Sequence, residues 1–401
     1  MVRYYRREKR KTAIFTGNRA EYGLLYPIIK AISNHPKLDY FLLVSGAHLD
    51  EKFGYTKEEI EKDGFKVYKE VKVEAKTDTL CSTTQTIGHT IINVSKILDK
   101  LKPDFLVVYG DRFEVLGAVI AGSQMSIPIA HIEGGDVTRG GALDDYVRHA
   151  ITKLSHLHFT TNKEAASRIA KLGEEKWRIF NVGFPVIDLI KEGKFADSQE
   201  IENRFGIHSE KPLIVFTQHS VTTELSEVES QMKPALEALE YFAEKDTQVI
   251  LTYPNNDAGG RRIIHELKKM QKKKIPNMFF CPHAGRYYYH GLLNICGKTG
   301  KGVCVGNSSS GIKETPAFGC PFVNIGTRQK GRLRSTNVID AHYNKKHIIV
   351  AVNKALFDKR FRARCKQCKN PYGEGESGKK IANILATIKI DKDLIQKKIT
   401  Y

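Results

Sequence analysis

The segment HIEGGDVTRGGALDDYVRHAITKL, residues 131–154, concentrates charged residues and glycines directly after an apolar run. It contains Glu133, the pair Asp144 and Asp145, and Arg148. Carboxylates around one reacting group can remove and deliver protons, and an arginine beside them can bind an anion or compensate their charge. The glycines let the backbone approach a ligand closely. The segment is therefore a candidate site for chemistry at the point where a strand ends and a helix begins.

Polar residues recur at the ends of other predicted strands. In open α/β sheets, ligands bind beyond the carboxyl ends of the strands, so residues at these positions can meet a substrate. In chain order the main ones are Arg19 and Glu21, His48, Asp111 and Arg112, Glu133 and Asp136, Gln218 and His219, Asn255 to Asp257, Asn307 to Ser310, Arg328 and Arg332. Their repetition after successive strands favours a substrate site more than any single residue does.

The acidic residues also have ordinary structural explanations. Asp111 can form a surface ion pair with Arg112, and Asp144 and Asp145 can complement the dipole at the N-terminus of a helix. For an isolated pair, these explanations are the better ones. Only the position of the pairs at strand ends favours a catalytic role.

Two histidines and a serine-rich turn leave similar alternatives. His48 and His219 are either hydrogen-bonded loop residues or active groups. The sequence SSSG at 308–311 either caps a helix or presents N–H groups and hydroxyls to a phosphate. The arginines that could pair with such an anion are Arg19, Arg328 and Arg332. We favour the anion site, because these cations would form charge-assisted hydrogen bonds with it.

The elements that must position these residues alternate along the chain. The near-continuous apolar runs DFLVVYG (104–110) and IPIAHI (127–132) are typical of strands buried on both faces of a parallel sheet. By contrast, LLYPIIKAI (24–32) places its apolar residues at helical spacing. This alternation predicts an α/β fold with doubly wound parallel sheets.

The chain has 401 residues, more than a single core usually supports. A polar, weakly periodic stretch at 191–210 separates two similar series of strands and helices. We predict an N-terminal Rossmann-like domain, residues 1–190, that carries the catalytic carboxylates, and a second Rossmann-like domain, residues 191–371. A C-terminal helix within 372–401 is expected to join the first domain. Two such domains form a clamp suited to a nucleotide.

Composition narrows the possible partners. The net charge of +19 fits a nucleic-acid partner, an anionic small substrate, a membrane surface or a lysine-rich surface. No zinc-finger, homeodomain or RNP pattern is present, so we expect no nucleic-acid partner. No apolar stretch approaches the roughly twenty residues that span a bilayer, and the basic start lacks a signal-peptide core, so we expect a cytoplasmic protein without a membrane partner. Seven cysteines with one CxxC pattern favour ordinary thiols over a zinc or redox site.

Longer motifs carry a family resemblance. In order and spacing, this chain resembles the hydrolysing UDP-N-acetylglucosamine 2-epimerases of sialic-acid pathways from about residue 11 to about residue 385. The motifs are TGNRAEYG, SGAHL, YGDR, HIEGGDV with LDDYVRHAITKLSH, TQHSVTTE, YPNNDAGG, GNSSSGIKETPAFGCP and NIGTRQKGR. Several motifs of five or more residues in one order are far more specific than a lone glycine fingerprint.

The resemblance implies two Rossmann-like domains of the GT-B type, an active site in the cleft between them, a homodimer or homotetramer, and no metal or NAD cofactor. The substrate- and UDP-binding residues that it implies are Arg19, Arg112, His219, Asn255, Ser308, Ser309, Glu314, Arg328 and Arg332; among them, Arg112 is expected around the sugar. Glu314 is similar to the glutamate that binds ribose hydroxyls in GT-B enzymes. The implied catalytic set is Asp111, Glu133, Asp144 or Asp145, His48 and Arg148.

The reaction that the resemblance implies is loss of UDP from the anomeric carbon together with the proton on carbon 2, followed by hydration of the glycal to N-acetylmannosamine. The loop GDVTRGGALDD and the stretch AGRYYYHGLL differ from better-known members, which leaves the sugar open. Alternatives are a UDP-2,4-diacetamido-trideoxyhexose substrate of legionaminic-acid pathways, a non-hydrolysing epimerase that releases UDP-N-acetylmannosamine, a GT-B glycosyltransferase that needs an acceptor, and a nucleotide-sugar sensor without turnover.

Overall fold

The structure is a computed structural model. It describes residues 9–49, 56–73, 80–137, 142–221, 223–254 and 259–401, with the backbone alone at 19, 20, 47, 80 and 142–144. Among the described residues, the strands form two separate parallel sheets, of seven and six strands. No helix in these ranges is long and apolar enough to cross a membrane.

The described chain forms two compact units. The first contains the described residues up to Asp136, then Leu143–Asp188 and Gly375–Tyr401. The second contains Leu189–Glu374 together with the short segment that begins at Val137. The predicted first domain, 1–190, includes this short segment, which the structure groups with the second unit instead.

The first unit is built on the seven-stranded sheet. Its strands are β1 (Arg10–Thr16), β2 (Leu38–Ser45), β3 (Val67–Val71), β4 (Phe105–Tyr109), β5 (Ile129–Ile132), β6 (Leu157–Thr160) and β7 (Ile179–Asn181). Its helices are α1 (Arg19–Ser33), α2 (Lys57–Lys62), α3 (Leu80–Leu101), α4 (Phe113–Gln124), α5 (Ala142–Leu154), α6 (Lys163–Lys171), α7 (Val186–Lys191, at the unit boundary), α15 (Ser377–Thr387) and α16 (Lys392–Ile395). The strand order is β3-β2-β1-β4-β5-β6-β7.

The second unit is built on the six-stranded sheet. Its strands are β8 (Leu213–Thr217), β9 (Gln248–Thr252), β10 (Met278–Cys281), β11 (Gly302–Gly306), β12 (Phe322–Ile325) and β13 (Val338–Ala341). Its helices are α8 (Ser198–Phe205), α9 (Val228–Ala243), α10 (Gly260–Lys272), α11 (Gly285–Lys298), α12 (Ser309–Lys313), α13 (Lys345–Phe357) and α14 (Lys359–Lys366). The strand order is β10-β9-β8-β11-β12-β13.

Helices cover both faces of the first sheet. Successive side chains of β1 show this, because they pack alternately against the helices of one face and of the other. Ile14 belongs to the apolar cluster that includes α1 and α15, whereas Phe15 belongs to the cluster that includes α3 and α4. Successive strand residues point to opposite faces, so each β1 side chain enters one layer of helices. The structure thus confirms the predicted α/β fold with two Rossmann-like, doubly wound parallel-sheet domains.

Each sheet has one topological switch point, where the strand order reverses. In the first sheet it lies between β1 and β4, and in the second it lies between β8 and β11. Loops that leave neighbouring strands at a switch point run to opposite faces of the sheet and open a crevice, which is where ligands bind in such folds. The candidate residues predicted from the sequence follow these strands and their neighbours.

The end of the chain completes the first unit. Helix α15 packs against α1 so closely that a Cβ at Gly378 would lie 2.5 Å from the carbonyl oxygen of Pro27. The carboxylate of Asp188 accepts the backbone N–H groups of Ser377 at 2.9 Å and Gly378 at 2.8 Å. These contacts fix the start of the helix, so the last residues of the chain contribute directly to the first core.

The fully buried Arg178 anchors the segment after this helix. Its guanidinium donates to the carbonyl oxygens of Leu394 at 2.7 Å and Gln396 at 3.3 Å, and to the Glu175 carboxylate at 2.7 Å. It also lies 4.2 Å from the centre of the Trp177 ring. One buried cation therefore supplies hydrogen bonds that the backbone of the C-terminal segment would otherwise lack.

Replacing Arg178 by methionine is expected to lower the free energy of unfolding by about 3 kcal/mol, because buried carbonyl groups and a carboxylate lose their donors. Chemical denaturation followed by circular dichroism measures this loss. The matched control is Lys176→Met, which removes the same charge from an exposed position of the same turn and is expected to change stability by less than about 0.5 kcal/mol. Equal losses in the two variants would contradict the assigned anchoring role.

Candidate functional site

In the first unit, a buried arginine joins two of the predicted carboxylates. Arg148 on α5 forms ion pairs with Asp111, directly after β4, and with Asp145, at 2.7 Å, one turn earlier on α5. The same guanidinium donates to the carbonyl oxygen of Asp136 at 2.6 Å. The side chains of Asp111 and Asp145 stay partly exposed, at 25% and 23%. The structure therefore brings three predicted residues into one cluster that is open to solvent.

Glu133 follows the neighbouring strand β5 and has an unusual backbone. Its φ of 66° lies in the left-handed region, which is costly for a residue with a side chain and recurs at functional sites. The hydroxyl of Tyr109 donates a hydrogen bond to its carboxylate. Burial, and then the Glu133 charge, raise the pKa of Tyr109 well above its ordinary value, so this phenol remains a donor. Tyr109 pairs with Ile132 in the sheet register, which places Asp111 and Glu133 beyond neighbouring strand ends.

The two glycines after Glu133 are required by close packing. A Cβ at Gly134 would lie 2.9 Å from a ring nitrogen of His131, and a Cβ at Gly135, where φ is +76°, would lie 2.4 Å from the Ala165 carbonyl oxygen. These glycines therefore fit the chain between β5 and α6. In the sequence we expected them to admit a ligand; in the structure, a packing constraint accounts for both.

Asp136 closes this turn as an anchor. Its carboxylate accepts from the hydroxyl of Thr161 at 3.1 Å and from the side-chain amide of Asn162 at 3.0 Å. Because the Asp136 carbonyl also binds Arg148, the turn that carries Glu133 and the cluster around Arg148 are held by one residue.

A second charged cluster lies at the switch point of the first sheet. Arg112 donates two hydrogen bonds to the buried Glu114, at 3.1 and 2.9 Å. The buried Glu21 lies within the electrostatic reach of both, and its carboxylate accepts the N–H of Gly17 at 3.4 Å. Burial raises the pKa of Glu21 from 4.5 to about 8; Arg112 opposes this shift and Glu114 adds to it. The sequence analysis did not single out Glu114, although its position two residues after Arg112 is a usable signal.

His48 is a hydrogen-bonded loop residue. It lies in the short 3-10 turn Gly46–Leu49, is fully buried, and its Nε2 and Nδ1 contact the hydroxyls of Thr16 at 3.1 Å and Thr56 at 2.8 Å. Burial lowers the pKa of His48 to about 4. The surroundings of His48 therefore match the first alternative from the sequence, a hydrogen-bonded loop residue. We assign no proton transfer to His48.

In the second unit, Asn307 organises the switch point. Its side-chain amide accepts the N–H of His219 at 2.7 Å and donates to the carbonyl of the same residue at 2.8 Å. Its own carbonyl oxygen accepts from Arg328 at 3.2 Å and from Gln329 at 2.8 Å. The preceding Gly306, at φ +128°, is required because a Cβ would lie 1.9 Å from the Thr217 carbonyl oxygen. The predicted residues His219 and Arg328 thus share one hydrogen-bonding partner.

The serine-rich turn follows directly. Ser308 caps the short helix α12, with its hydroxyl 3.1 Å from that of Ser310. Ser309 begins the helix, and Glu314 is the capping residue after its last residue, Lys313. Ser308, Ser309 and Glu314 therefore lie in one short turn after β11, where hydroxyls, backbone N–H groups and a carboxylate are close together.

Arg332 lies elsewhere in the second unit, after β12. Its guanidinium donates a hydrogen bond to the carbonyl oxygen of Val137 at 3.0 Å.

Three predicted residues are described only in part or not at all. Arg19 is the first residue of α1, and Asp144 lies in the first turn of α5, but the structure describes only their backbones. Asn255 lies outside the described residues. Within the described ranges, no group of three or more His, Cys, Asp or Glu side chains could hold a metal ion.

Comparison with known proteins assigns the chain to a family. The family model described as UDP-N-acetylglucosamine 2-epimerase matches residues 30–386, most of the chain. The chain belongs to the UDP-N-acetylglucosamine 2-epimerase family. This result confirms the resemblance seen in the motifs, and it identifies the chain as an enzyme of the UDP-sugar 2-epimerases.

Individual UDP-N-acetylglucosamine 2-epimerase family members are similar over most of their length. The GDP/UDP-N,N'-diacetylbacillosamine 2-epimerase (hydrolyzing) of Campylobacter jejuni is 35% identical over 84% of this chain and 85% of its own. A UDP-N-acetylglucosamine 2-epimerase of Neisseria meningitidis serogroup B is 33% identical over 87% of this chain and 88% of its own.

A solved structure supports the fold assignment within the family. The crystal structure of UDP-GlcNAc 2-epimerase from Neisseria meningitidis bound to UDP-GlcNAc has a TM-score of 0.78, with 17% identity, over 94% of this chain and 99% of that one. At this identity the similarity bears on the fold. It confirms the two Rossmann-like parallel-sheet domains of the predicted GT-B type.

Glu21→Gln is expected to stabilise the protein increasingly as pH rises. The raised pKa means that folded Glu21 keeps a proton, whereas the unfolded chain releases it above its ordinary pKa of 4.5. Relative to the variant, the wild type should lose up to about 1.4 kcal/mol of unfolding free energy per pH unit between about pH 5 and pH 8. Denaturation at several pH values measures this slope.

The control for this experiment is Glu58→Gln, an exposed glutamate in the same unit. Its effect on the unfolding free energy is the reference against which the Glu21→Gln slope is compared. A Glu21→Gln difference that is constant from about pH 5 to pH 8 would show that Glu21 ionises normally in the folded protein.

Proposed function

We propose that this enzyme is a hydrolysing UDP-sugar 2-epimerase that converts UDP-N-acetylglucosamine and water into N-acetylmannosamine and UDP. The main support is the first-unit cluster, in which Asp111 and Asp145 contact Arg148 and Glu133 follows the adjacent strand. Such a group of carboxylates suits a reaction that removes a proton from carbon 2 and later returns one to its opposite face. The names of the relatives agree with this reaction class.

The proposed reaction has two steps. In the first, the bond from carbon 1 to the UDP oxygen breaks, with its electron pair leaving on UDP, while a base removes the proton from carbon 2 and a double bond forms between the two carbons. In the second, water adds its hydroxyl to carbon 1, and carbon 2 receives a proton on the opposite face. Positive charge develops at carbon 1 during both steps, and nearby carboxylates stabilise it.

The first unit supplies the groups for the sugar in this proposal. Asp111 or Glu133 removes the proton from carbon 2, and the other carboxylates deliver a proton or stabilise charge. Arg148 compensates the charges of Asp111 and Asp145, so the two acids can lie close together without repelling each other. Tyr109 orients the Glu133 carboxylate through its hydrogen bond.

The second unit supplies the groups for UDP in this proposal. Ser308 and Ser309 offer hydroxyl and N–H donors to the phosphates, and Glu314 accepts the ribose hydroxyls. The other second-unit residues that the family motifs assign to UDP are His219, Asn255, Arg328 and Arg332. From the first unit, the motifs assign Arg19 to UDP and Arg112 to the surroundings of the sugar. The predicted homodimer or homotetramer remains a prediction.

A second candidate substrate is a UDP-2,4-diacetamido-trideoxyhexose such as UDP-N,N'-diacetylbacillosamine. It is favoured by the 35% identity to the Campylobacter jejuni enzyme, whose name states that sugar, against 33% to the Neisseria meningitidis enzyme. The same chemistry at carbons 1 and 2 serves both sugars, because they differ at carbons 4 and 6. The ratio of kcat/KM for the two substrates, measured with one preparation, decides between them.

Purified enzyme incubated with UDP-N-acetylglucosamine alone should release UDP and free N-acetylmannosamine. In deuterium oxide, carbon 2 of the product should carry deuterium, because its original proton is lost to the base. In water labelled with oxygen-18, the label should enter the sugar and not UDP, because the bond at carbon 1 breaks. Mass spectrometry measures both labels. UDP-N-acetylmannosamine as the product indicates the non-hydrolysing reaction, and product formation only with an added acceptor indicates a glycosyltransferase.

Asp111→Asn and Glu133→Gln should each keep UDP affinity but lower kcat by about 10²- to 10⁴-fold, because an amide cannot take a proton from carbon 2. Isothermal titration calorimetry and a UDP-release assay measure the two quantities. Asp99→Asn, at an exposed position of α3, serves as the matched control and should leave both unchanged. Near-full activity in both carboxamide variants would remove the catalytic assignment.

A further inference from the structure

Two adjacent residues of α11 contact opposite ends of the serine-rich turn. The hydroxyl of Tyr289 lies 2.7 Å from that of Ser310, in the first turn of α12. The next residue, His290, places its Nε2 2.8 Å from Oε2 of Glu314, at the end of the same helix. Both residues belong to the stretch AGRYYYHGLL, which the family motifs left without a role. One turn of α11 therefore contacts both ends of α12.

The imidazole of His290 is held in a fixed position. Its side chain is buried, and its ring centre lies 5.6 Å from that of Phe318. The following residue, Gly291, packs so tightly that a Cβ would lie 2.5 Å from the carbonyl oxygen of Ala196. The backbone of α11 therefore packs closely against Ala196 at this point, and the buried ring lies against Phe318.

The hydrogen bond between His290 and Glu314 has a defined direction. A carboxylate can only accept, so Nε2 carries the hydrogen and donates it. Nδ1 is buried and has no hydrogen-bond partner among the described residues, so a hydrogen there would lack an acceptor. The Nε2–H tautomer is the one that fits, and its single N–H is directed at Glu314.

Glu314 combines this buried contact with access to solvent. Its side chain is 13% exposed, while that of His290 is 1% exposed. The turn that follows, Thr315–Phe318, includes the phenyl ring that contacts His290. The carboxylate is thus bound on its inner side and reachable from outside.

We infer that His290 is a positioning residue, which holds the Glu314 carboxylate in the orientation that accepts the ribose hydroxyls of a uridine nucleotide. The inference rests on the proposed function, which assigns Glu314 to the ribose. Two neighbouring hydroxyls bind a carboxylate well only when its plane faces them, and a second hydrogen bond that fixes this plane removes the need to order it on binding. Without the donor, the carboxylate rotates and the affinity that the hydroxyls contribute falls.

The test compares UDP with 2′,3′-dideoxy-UDP, which lacks the ribose hydroxyls. For each variant, the dissociation constant of 2′,3′-dideoxy-UDP divided by that of UDP measures recognition of the hydroxyls. When both constants come from one preparation, this ratio does not depend on the fraction of folded protein. His290→Leu removes the donor at similar volume and should reduce the ratio about tenfold, with dideoxy-UDP affinity nearly unchanged. His290→Gln, which retains an N–H donor at similar reach, should keep most of the wild-type ratio.

Tyr289→Phe provides the matched control. It removes a hydrogen bond of nearly the same length from the same turn of α11, but this bond goes to Ser310. Its ratio should equal that of the wild type. In a double-mutant cycle, His290→Leu should have no further effect on the ratio once Glu314 is alanine, because the donor then has no carboxylate to orient.

The outcomes separate this inference from the proposed function. Wild-type protein that does not bind UDP, or that binds both nucleotides equally, removes the assignment of Glu314 and the inference with it. Wild-type protein that discriminates between the nucleotides, together with a His290→Leu variant that discriminates equally well, leaves the proposed function standing and overturns the inference alone.

Discussion

The candidate catalytic site depends on one buried cation. Arg148 contacts the Asp111 and Asp145 carboxylates and the Asp136 carbonyl, so it links the loops after β4 and β5 with α5. Carboxylates that lie this close would repel each other without it, and the turn that carries Glu133 would lose a fixed point. A guanidinium suits this task because its donors diverge in a plane and can bind several acceptors at once. The acids can therefore be dense and ordered in the same small region.

In the second unit, a neutral side chain links the loops after the strands, as Arg148 does in the first unit. Asn307 binds both backbone groups of His219 through its amide, and its carbonyl accepts from Arg328 and Gln329. The two switch points thus have the same topology but opposite chemistry. Carboxylates predominate in the first, whereas hydroxyls, N–H groups and arginines predominate in the second. In the function that we propose, the first unit moves protons and the second binds the anion.

Much of this arrangement follows from the sequence, because apolar runs and the polar residues after them are local signals. The strands, the α/β class and the positions of Asp111, Glu133 and Ser308 at strand ends are of this kind. The contacts that these residues make with distant parts of the chain are not local signals. That Arg148 pairs with Asp111 depends on packing between residues 37 positions apart, and the positive φ of Glu133 depends on the turn around it.

Burial gives some residues surroundings that their sequence does not reveal. His48 resembles an active histidine in its motif, yet the fold surrounds it completely and supplies hydroxyls to both ring nitrogens. Glu21 follows a strand end and Glu114 follows Arg112 in the sequence, but their burial is not visible there. Burial raises the pKa of Glu21, and the nearby charge of Glu114 adds to this shift. Local sequence carries no direct measure of such surroundings, since they arise from residues of several strands.

The packing of α15 on α1 has a consequence for biosynthesis. The second unit is built almost entirely from one continuous stretch, Leu189–Glu374, whereas the first unit also needs Gly375–Tyr401. A ribosome therefore delivers every residue of that continuous stretch before it delivers the helix that covers α1. Synthesis of the first unit thus begins before that of the second unit but ends after it. Until α15 is synthesised, the apolar surface of α1 that it covers stays exposed in the growing chain, where it can cause aggregation.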